Sequence, residues 1–263
     1  VSKAIAELDG KSLCVFTSGG SSGEMLETLL QKNKIEPKVI RTKNWTRENF
    51  IAFDNTSKAQ YRFGFPGNEL SDAEQNAIIT TVKEIKTDFL VLSGSLNDGL
   101  PTNFYQTLAN TAKVSGIKVI VDTSGEALRK VLESGVYLIK PNIGELAKLM
   151  GVERLEKAET EKAAKILIAK GNAEIVVVSL GAEGALLVSK DQTEFVTAPK
   201  VEKKSTVGAG DSMVGGMVWA LSQNKTLKEV IQWGVACGTA ATMNEGTQLF
   251  KKEDAVILFR ELQ

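Results

Sequence analysis

The chain has 263 residues, 43% hydrophobic and 24% charged, a composition ordinary for a globular protein and long enough for one large α/β domain. Its 32 basic and 32 acidic residues cancel, so it lacks the basic excess expected of a nucleic-acid-binding protein. It contains no histidine, which excludes Ser-His and Cys-His nucleophile pairs and histidine-ligated zinc, and no apolar run of about 18 residues that would span a membrane.

The first residues and the two cysteines bear on the cellular compartment of the protein. Residues 1–8 have the pattern of a helix interior, with no N-cap residue before them. Cys14 and Cys237 lie in apolar surroundings, which is typical of reduced core cysteines rather than of a disulfide. With no signal-peptide pattern, these features predict a cytoplasmic protein.

The next elements predict a short α/β unit followed by a hairpin. Strands are expected at 13–17 and 37–40, and the residues between them have helical spacing. Residues 49–54 and 59–65 are rich in β-forming types and flank the turn-prone Asn55-Thr56-Ser57-Lys58. This pattern predicts a hairpin outside the α/β series, as part of a small lid sheet.

From residue 71 onward, helices and strands alternate. Helices are expected near 71–86, 101–114, 125–132 and 158–170. Strands are expected at 89–92, 118–122, 137–139 and 175–178, the last β-branched throughout, as in a strand buried on both faces. Residues 181–184 start a closing hairpin, and the chain ends in helices at 210–221, 227–243 and 252–262. Such alternation predicts a mainly parallel sheet wrapped by helices.

The most informative motif is Ser205-Thr206-Val207-Gly208-Ala209-Gly210-Asp211-Ser212, followed by an apolar, small-residue helix. A glycine-rich turn that feeds a helix N-terminus presents free N–H groups and a dipole that favour an anion. Asp211 is poorly suited to holding a phosphate there, but it could take a proton from a hydroxyl that attacks one. A simple role in the first helical turn is the alternative.

This motif resembles the signature of the ribokinase-like, or PfkB, family of sugar kinases. Lys140-Pro141-Asn142-Ile143-Gly144-Glu145-Leu146 is similar to the family's N-x-x-E segment. Residues 121–128, Ser93-Gly94-Ser95-Leu96 and Trp45-Thr46-Arg47-Glu48-Asn49-Phe50 are similar to its phosphosugar branch. The order and spacing of these segments match nearly the whole chain.

The resemblance implies a ribokinase-like three-layer αβα fold with a mainly parallel central sheet and a small β lid. It implies one kinase domain over residues 1–263, with residues 37–66 contributing to the lid. In the family, the opening helix follows a first strand and a glycine-rich sugar-binding turn. Neither is present, so we expect a fragment that lacks roughly its first 40 residues.

The implied activity is ATP-dependent phosphorylation of fructose 6-phosphate at its 1-hydroxyl, giving fructose 1,6-bisphosphate and ADP. Asp211 is the expected general base, and Gly208, Ala209 and Gly210 the expected anion hole. Asn142 and Glu145 are expected to position the Mg²⁺ that accompanies ATP, through its waters. From their spacing alone, these two residues are more typical of a helix cap.

Further roles come from the resemblance alone. Arg47 and Ser95 are expected to hold the sugar phosphate, although a lone Arg47 would otherwise be interpreted as a surface arginine. The expected ATP-site residues are Lys140, Asn142, Ser179, Gly181, Gly184, Thr206 and Gly238. An expected K⁺ loop comprises Ser205, Val207, Ala241, Asn244, Gly246 and Gln248. At Gln248 the resembled kinases carry a basic residue, so the resemblance implies no side-chain role for this glutamine.

Three alternatives stay open at this stage. Fructose 1-phosphate or tagatose 6-phosphate could be the substrate, or the chain could be a catalytically silent sensor of a sugar phosphate or nucleotide. The intact Gly208-Ala209-Gly210-Asp211 segment argues against a sensor, which has no use for a base. A homodimer is expected through the lid, because pairing two small lid sheets would bury their edges and apolar faces.

Overall fold

A computed structural model describes residues 1–54, 56–57 and 59–263, and for Phe53, Gln60 and Arg62 it describes the backbone alone. The strands are β1 (Leu13–Ser18), β2 (Glu36–Arg41), β3 (Asn49–Phe53), β4 (Gln60–Gly64), β5 (Phe89–Ser93), β6 (Lys118–Asp122), β7 (Val136–Ile139), β8 (Ala173–Ser179), β9 (Ala185–Ser189) and β10 (Thr193–Val196). The α-helices are α1 (Ser2–Glu7), α2 (Gly20–Lys32), α3 (Asp72–Glu84), α4 (Phe104–Val114), α5 (Gly125–Leu132), α6 (Ile143–Met150), α7 (Thr160–Ala169), α8 (Ala209–Ser222), α9 (Leu227–Thr242) and α10 (Lys252–Glu261).

The predicted helices and strands are confirmed, with small shifts at their ends. The largest shift is at α4, which begins at Phe104 rather than at residue 101, because the Phe104 amide first closes a turn onto the carbonyl of Pro101. The hairpin is confirmed as the antiparallel pair β3–β4. Of its predicted turn, Asn55 and Lys58 lie outside the described residues.

The central sheet has six strands in the order β10-β9-β8-β7-β6-β5. Strands β5 to β8 run parallel, whereas β9 and β10 add an antiparallel hairpin at one edge. In the described part of the chain, β1 and β2 form a separate two-stranded parallel sheet. The alternation of elements along the chain predicts where strands occur but not which strands pair, so it could not reveal this separation.

Helices cover both faces of the six-stranded sheet. One face packs against α1, α8, α9 and α10, where the Trp233 ring stacks on Phe259 at 4.2 Å between centroids. The other face packs against α3 to α7. Val176 and Val177 in β8 are completely buried, one on each face, which confirms the predicted two-sided burial. Burial of each such side chain stabilises the folded state by roughly 1.5–3 kcal/mol. The sheet therefore holds the loops at its ends in fixed positions.

The described helices include none that is both long enough and apolar enough to cross a membrane.

The β3–β4 hairpin carries an exposed aromatic face. Phe50 lies opposite Phe63 in the strand register, with ring centroids 5.9 Å apart. Tyr61 follows on the same face by alternation, and more than half of each of these three side chains is exposed. The hairpin therefore presents an apolar surface away from the main core.

Candidate active site

The parallel strands bring several of the predicted site residues to one edge of the central sheet. Ser93 ends β5 directly beside Asp122, which ends β6. The backbone amide of Lys140 donates to Val121, and that of Ser179 donates to Pro141 at 3.0 Å, so the ends of β6, β7 and β8 are adjacent. The carboxyl ends of parallel strands are where ligands bind in such sheets.

The N-terminus of α8 lies against this edge. Gly208 is the N-cap residue with φ of 75°, and a Cβ there would come within 2.6 Å of Leu249 Cδ2, so the tight turn requires glycine. A Cβ on Gly210 would lie 3.7 Å from the Lys140 ammonium nitrogen. The N-terminal end of α8 and the Lys140 charge therefore converge on one place, where both favour an anion.

Asp211 projects from the first turn of α8 and its side chain is 52% exposed. The N-cap position belongs to Gly208, so Asp211 does not serve as the N-cap of this helix. A carboxylate that stays accessible beside an anion site can accept a proton from a bound hydroxyl.

Lys140 and Asp122 form a nearly buried ion pair at 3.2 Å, with side-chain exposures of 8% and 20%. Burial raises the pKa of Asp122, the Lys140 charge opposes that rise, and the charges of Asp211 and Glu145 add to it. Three carboxylates thus share one region with Lys140. Only the adjacent positions of β6 and β7 in the sheet identify Lys140 as the partner of Asp122.

We expect Lys140→Met to destabilise the fold by about 3 kcal/mol at neutral pH, because it leaves Asp122 as an uncompensated, largely buried charge. Without the opposing ammonium, the pKa of Asp122 rises further above its unfolded value. The folded state then binds more protons than the unfolded state between those two pKa values, so stability falls as pH rises through that window. Urea unfolding at pH 4.5 and pH 7 measures both effects.

The matched control is Lys130→Met, which removes an exposed ammonium 3.0 Å from Glu133. We expect little change in stability at either pH, because exposed pairs are screened by water. The assigned pairing would be contradicted if Lys140→Met lowered the free energy of unfolding as little as the control does. It would also be contradicted if the decrease were equal at the two pH values.

Asn142 and Glu145 form a reciprocal cap at the start of α6. The Asn142 side-chain oxygen accepts from the Glu145 amide at 2.8 Å, and Glu145 Oε2 accepts from the Asn142 amide at 2.9 Å. The cap expected from spacing alone is therefore present. The other carboxylate oxygen of Glu145, Oε1, takes no part in this cap. The Mg²⁺ role of the two residues stays a prediction.

Arg47 and Ser95 meet although they are distant in sequence. The Arg47 guanidinium donates to the Ser95 hydroxyl at 3.4 Å. Arg47 also lines a small pocket of about 190 Å³ whose other walls are mostly uncharged polar side chains, including those of Thr42, Asn44 and Asn97. A planar cation beside a hydroxyl and polar side chains is suited to a phosphorylated polar ligand.

The predicted nucleotide residues occupy the neighbouring part of the same edge. Ser179 pairs with Asn142 in a β-bridge, which joins the end of β8 to the start of α6. Gly184 has φ of 107°, and a Cβ there would lie 1.9 Å from the Val196 carbonyl oxygen, so no other residue fits. Gly238 packs on the start of α8, where a Cβ would lie 3.2 Å from the Ala209 carbonyl oxygen. Gly181 opens the short 3-10 turn before Gly184.

The two segments of the predicted K⁺ loop are joined. The Ser205 hydroxyl donates to the Gly246 carbonyl at 2.9 Å and accepts from the Val207 amide. The Asn244 side chain donates to the carbonyl of Ala240, the residue before Ala241. Thr206 and Gln248 lie in the same two segments. These contacts join the segment around Ser205 to the segment around Gly246, and the K⁺ role of the loop stays a prediction.

The sequence matches the pfkB family of carbohydrate kinases over residues 1–254. The chain belongs to the PfkB family of carbohydrate kinases. It is 40% identical to the ATP-dependent 6-phosphofructokinase isozyme 2 of Escherichia coli over 264 aligned residues, which cover all of this chain and 85% of that protein. It is 32% identical to the 1-phosphofructokinase of Bacillus subtilis, covering 89% of this chain and 77% of that protein.

A crystal structure of phosphofructokinase-2 from E. coli in complex with potassium superposes with a TM-score of 0.96 at 40% identity, covering 99% of this chain and 85% of that one. The family and the ribokinase-like three-layer fold expected from the motifs are thus confirmed for this PfkB kinase. The roles of the individual site residues stay predictions, because similarity of the whole chain does not test them one by one.

Proposed function

We propose that this PfkB kinase is an ATP-dependent 6-phosphofructokinase that phosphorylates the 1-hydroxyl of fructose 6-phosphate. The convergence of Asp211, the N-terminus of α8 and Lys140 at one edge of the sheet carries this proposal. Such a group combines an accessible base with an anion site, which is what transfer of a phosphoryl group to a hydroxyl needs. A sensor would need the anion site but not the base.

In the proposed reaction, Asp211 takes the proton from the 1-hydroxyl as its oxygen forms a bond to the γ-phosphorus of ATP. The bond from that phosphorus to the β–γ bridging oxygen breaks, and ADP leaves with the electron pair. The amides of Gly208, Ala209 and Gly210 and the Lys140 ammonium stabilise charge on the transferring group. Mg²⁺ supplied with ATP would offset phosphate charge, held through its waters by Glu145 and Asn142.

The proposed binding roles follow from neighbouring contacts. Arg47 and Ser95, which meet at 3.4 Å, bind the phosphate of the sugar. Ser179, Gly181, Gly184, Thr206 and Gly238 line the nucleotide site. Ser205, Val207, Ala241, Asn244, Gly246 and Gln248 hold K⁺; the Ser205–Gly246 contact that joins their two segments supports this part of the proposal.

The substrate is tested by a coupled assay of ADP release with Mg-ATP and K⁺, run on fructose 6-phosphate, fructose 1-phosphate, tagatose 6-phosphate, fructose and ribose. We expect a clear preference for fructose 6-phosphate, consistent with the higher identity to the 6-phosphofructokinase than to the 1-phosphofructokinase. Preference for another phosphosugar would support the corresponding alternative. Activity on unphosphorylated sugars alone would contradict a phosphate-binding role for Arg47, and binding without turnover would favour a sensor.

We also propose that residues 1–263 act as one kinase domain, in which residues 37–66 contribute to a β lid, and that the chain forms a homodimer through this lid. The exposed face of Phe50, Tyr61 and Phe63 supports the pairing. Burial of such a face removes apolar surface from water at about 25 cal/mol per Å². The open edges of a two-stranded sheet would also gain backbone partners.

We expect size-exclusion chromatography with light scattering to give a dimer at micromolar protein, and Phe63→Ser to shift it toward monomer by at least about tenfold in Kd. The control is Phe195→Ser, which removes an aromatic side chain of similar exposure, 44%, from β10. A monomeric parent protein, or equal effects of the two substitutions, would contradict a lid-mediated dimer.

A further inference from the structure

Gly94, the residue before Ser95, makes three hydrogen bonds that hold the loop after β5 in place. Gly94 leaves β5 with φ of 96°, and its amide donates to the Asp122 carbonyl at 3.0 Å. The Gly94 carbonyl accepts from the Thr123 hydroxyl at 2.7 Å and from the Tyr105 hydroxyl at 3.2 Å. Tyr105 also reaches the Ser93 carbonyl at 3.1 Å, so its one hydroxyl proton is shared between two consecutive carbonyls.

Tyr105 is itself held in place by packing, so it can restrain the loop that carries Ser95. It lies in α4 and packs against the buried cluster on that face of the sheet. Burial and, to a smaller extent, the charge of Asp122 raise the pKa of Tyr105 to about 12. The phenol therefore stays protonated and remains a donor throughout the physiological range.

Ser95 needs such an anchor because its own surroundings offer little restraint. Ser93, Gly94 and Ser95 are all exposed, and a glycine with positive φ leaves the backbone free to adopt other conformations. The Ser95 hydroxyl nevertheless has to lie beside the Arg47 guanidinium, which comes from a distant part of the chain. A displacement of about 1 Å is enough to weaken a positioned polar contact substantially.

We propose that Tyr105 is a positioning residue for sugar-phosphate binding: by holding the Ser93 and Gly94 carbonyls, it places Ser95 beside Arg47. This inference rests on the proposed function, since it concerns the same substrate. Tyr105 does not touch the reacting groups in this assignment and acts through the Ser95 loop. Thr123, which shares the Gly94 carbonyl, is its partner in that role.

The test is Tyr105→Phe, which removes one oxygen and leaves the packing of the ring in place. We expect KM for fructose 6-phosphate to rise about fivefold, the usual effect of losing one neutral hydrogen bond, with KM for ATP and kcat changed by less than about twofold. Thr123→Val should act in the same direction, and Thr123→Ser, which keeps the hydroxyl, should restore the parent KM. The control is Tyr137→Phe, a half-buried tyrosine in β7.

A second measurement is independent of activity. Hydrogen exchange of the Gly94 amide reports its bond to Asp122, and we expect it to accelerate in Tyr105→Phe but not in Tyr137→Phe. Unchanged exchange would overturn the anchoring role. Faster exchange in Tyr105→Phe, together with equal changes in KM for fructose 6-phosphate and KM for ATP, would overturn the role of Tyr105 in sugar-phosphate binding. Faster exchange with no change in either KM would overturn it as well. A parent protein that is inactive on fructose 6-phosphate would contradict the proposed function instead, and the exchange rates would still decide whether Tyr105 anchors the loop.

Discussion

Replacing Asp211 with asparagine is expected to lower kcat by at least about 100-fold while the Kd for ATP changes by less than about twofold, because a positioned general base contributes 10²- to 10⁴-fold. Asparagine keeps the shape of the side chain in the first turn of α8 but cannot accept the proton of the attacking hydroxyl. The measurement pairs steady-state turnover on fructose 6-phosphate with calorimetric titration of ATP.

A matched control separates chemistry from helix electrostatics. Asp72 also lies in the first turn of a helix, α3, so Asp72→Asn removes a similar interaction with a helix dipole. We expect it to leave turnover unchanged. If Asp211→Asn keeps more than about a tenth of the parent kcat, or if it loses ATP binding to the same degree as turnover, Asp211 is not the base.

Replacing Arg47 with alanine should raise KM for the sugar phosphate by roughly 10- to 100-fold and leave KM for ATP within about twofold, since a charge-assisted bond is worth about 1.5–3 kcal/mol. The reason lies in its position: Arg47 contacts Ser95 and lines the small polar pocket. Initial rates with each substrate varied in turn would measure the two KM values.

Two further variants sharpen the interpretation. Arg47→Lys keeps the charge but not the planar fork, so we expect an intermediate KM for the sugar phosphate. Arg154→Ala removes an arginine that is 81% exposed and paired with Glu156, and should leave both KM values unchanged. Equal increases in the two KM values for Arg47→Ala would reject its assignment to the sugar phosphate.

The cap at α6 illustrates how far local sequence reasoning extends. The N-x-x-E spacing alone predicted that Asn142 and Glu145 would cap the helix, and both hydrogen bonds of that cap are present. Spacing could do this because the two residues are one helical turn apart, where backbone geometry leaves few alternatives. It could not show which oxygen of Glu145 would remain outside the cap.

Asp122 and Tyr105 illustrate the opposite case. Nothing near Asp122 in sequence indicates that Lys140 will pair with it, because the two are joined only by the neighbouring positions of β6 and β7. In the sequence, Tyr105 fits the apolar pattern of α4. Only the structure shows that its hydroxyl donates to the Ser93 and Gly94 carbonyls. Contacts of this kind depend on how strands and helices dock, which no local pattern encodes.

The sequence by itself determined the order and type of the elements, the glycine-rich start of α8 with Asp211 in its first turn, and the family. It could do so because hydrophobic period, glycine-rich turns and caps are local properties of the chain. Only the tertiary structure decided that Arg47 meets Ser95, that Lys140 faces Gly210, and that β1–β2 stand apart from the central sheet. Those outcomes depend on packing between segments far apart in sequence, where the burial of apolar surface selects one arrangement among many with the same local pattern.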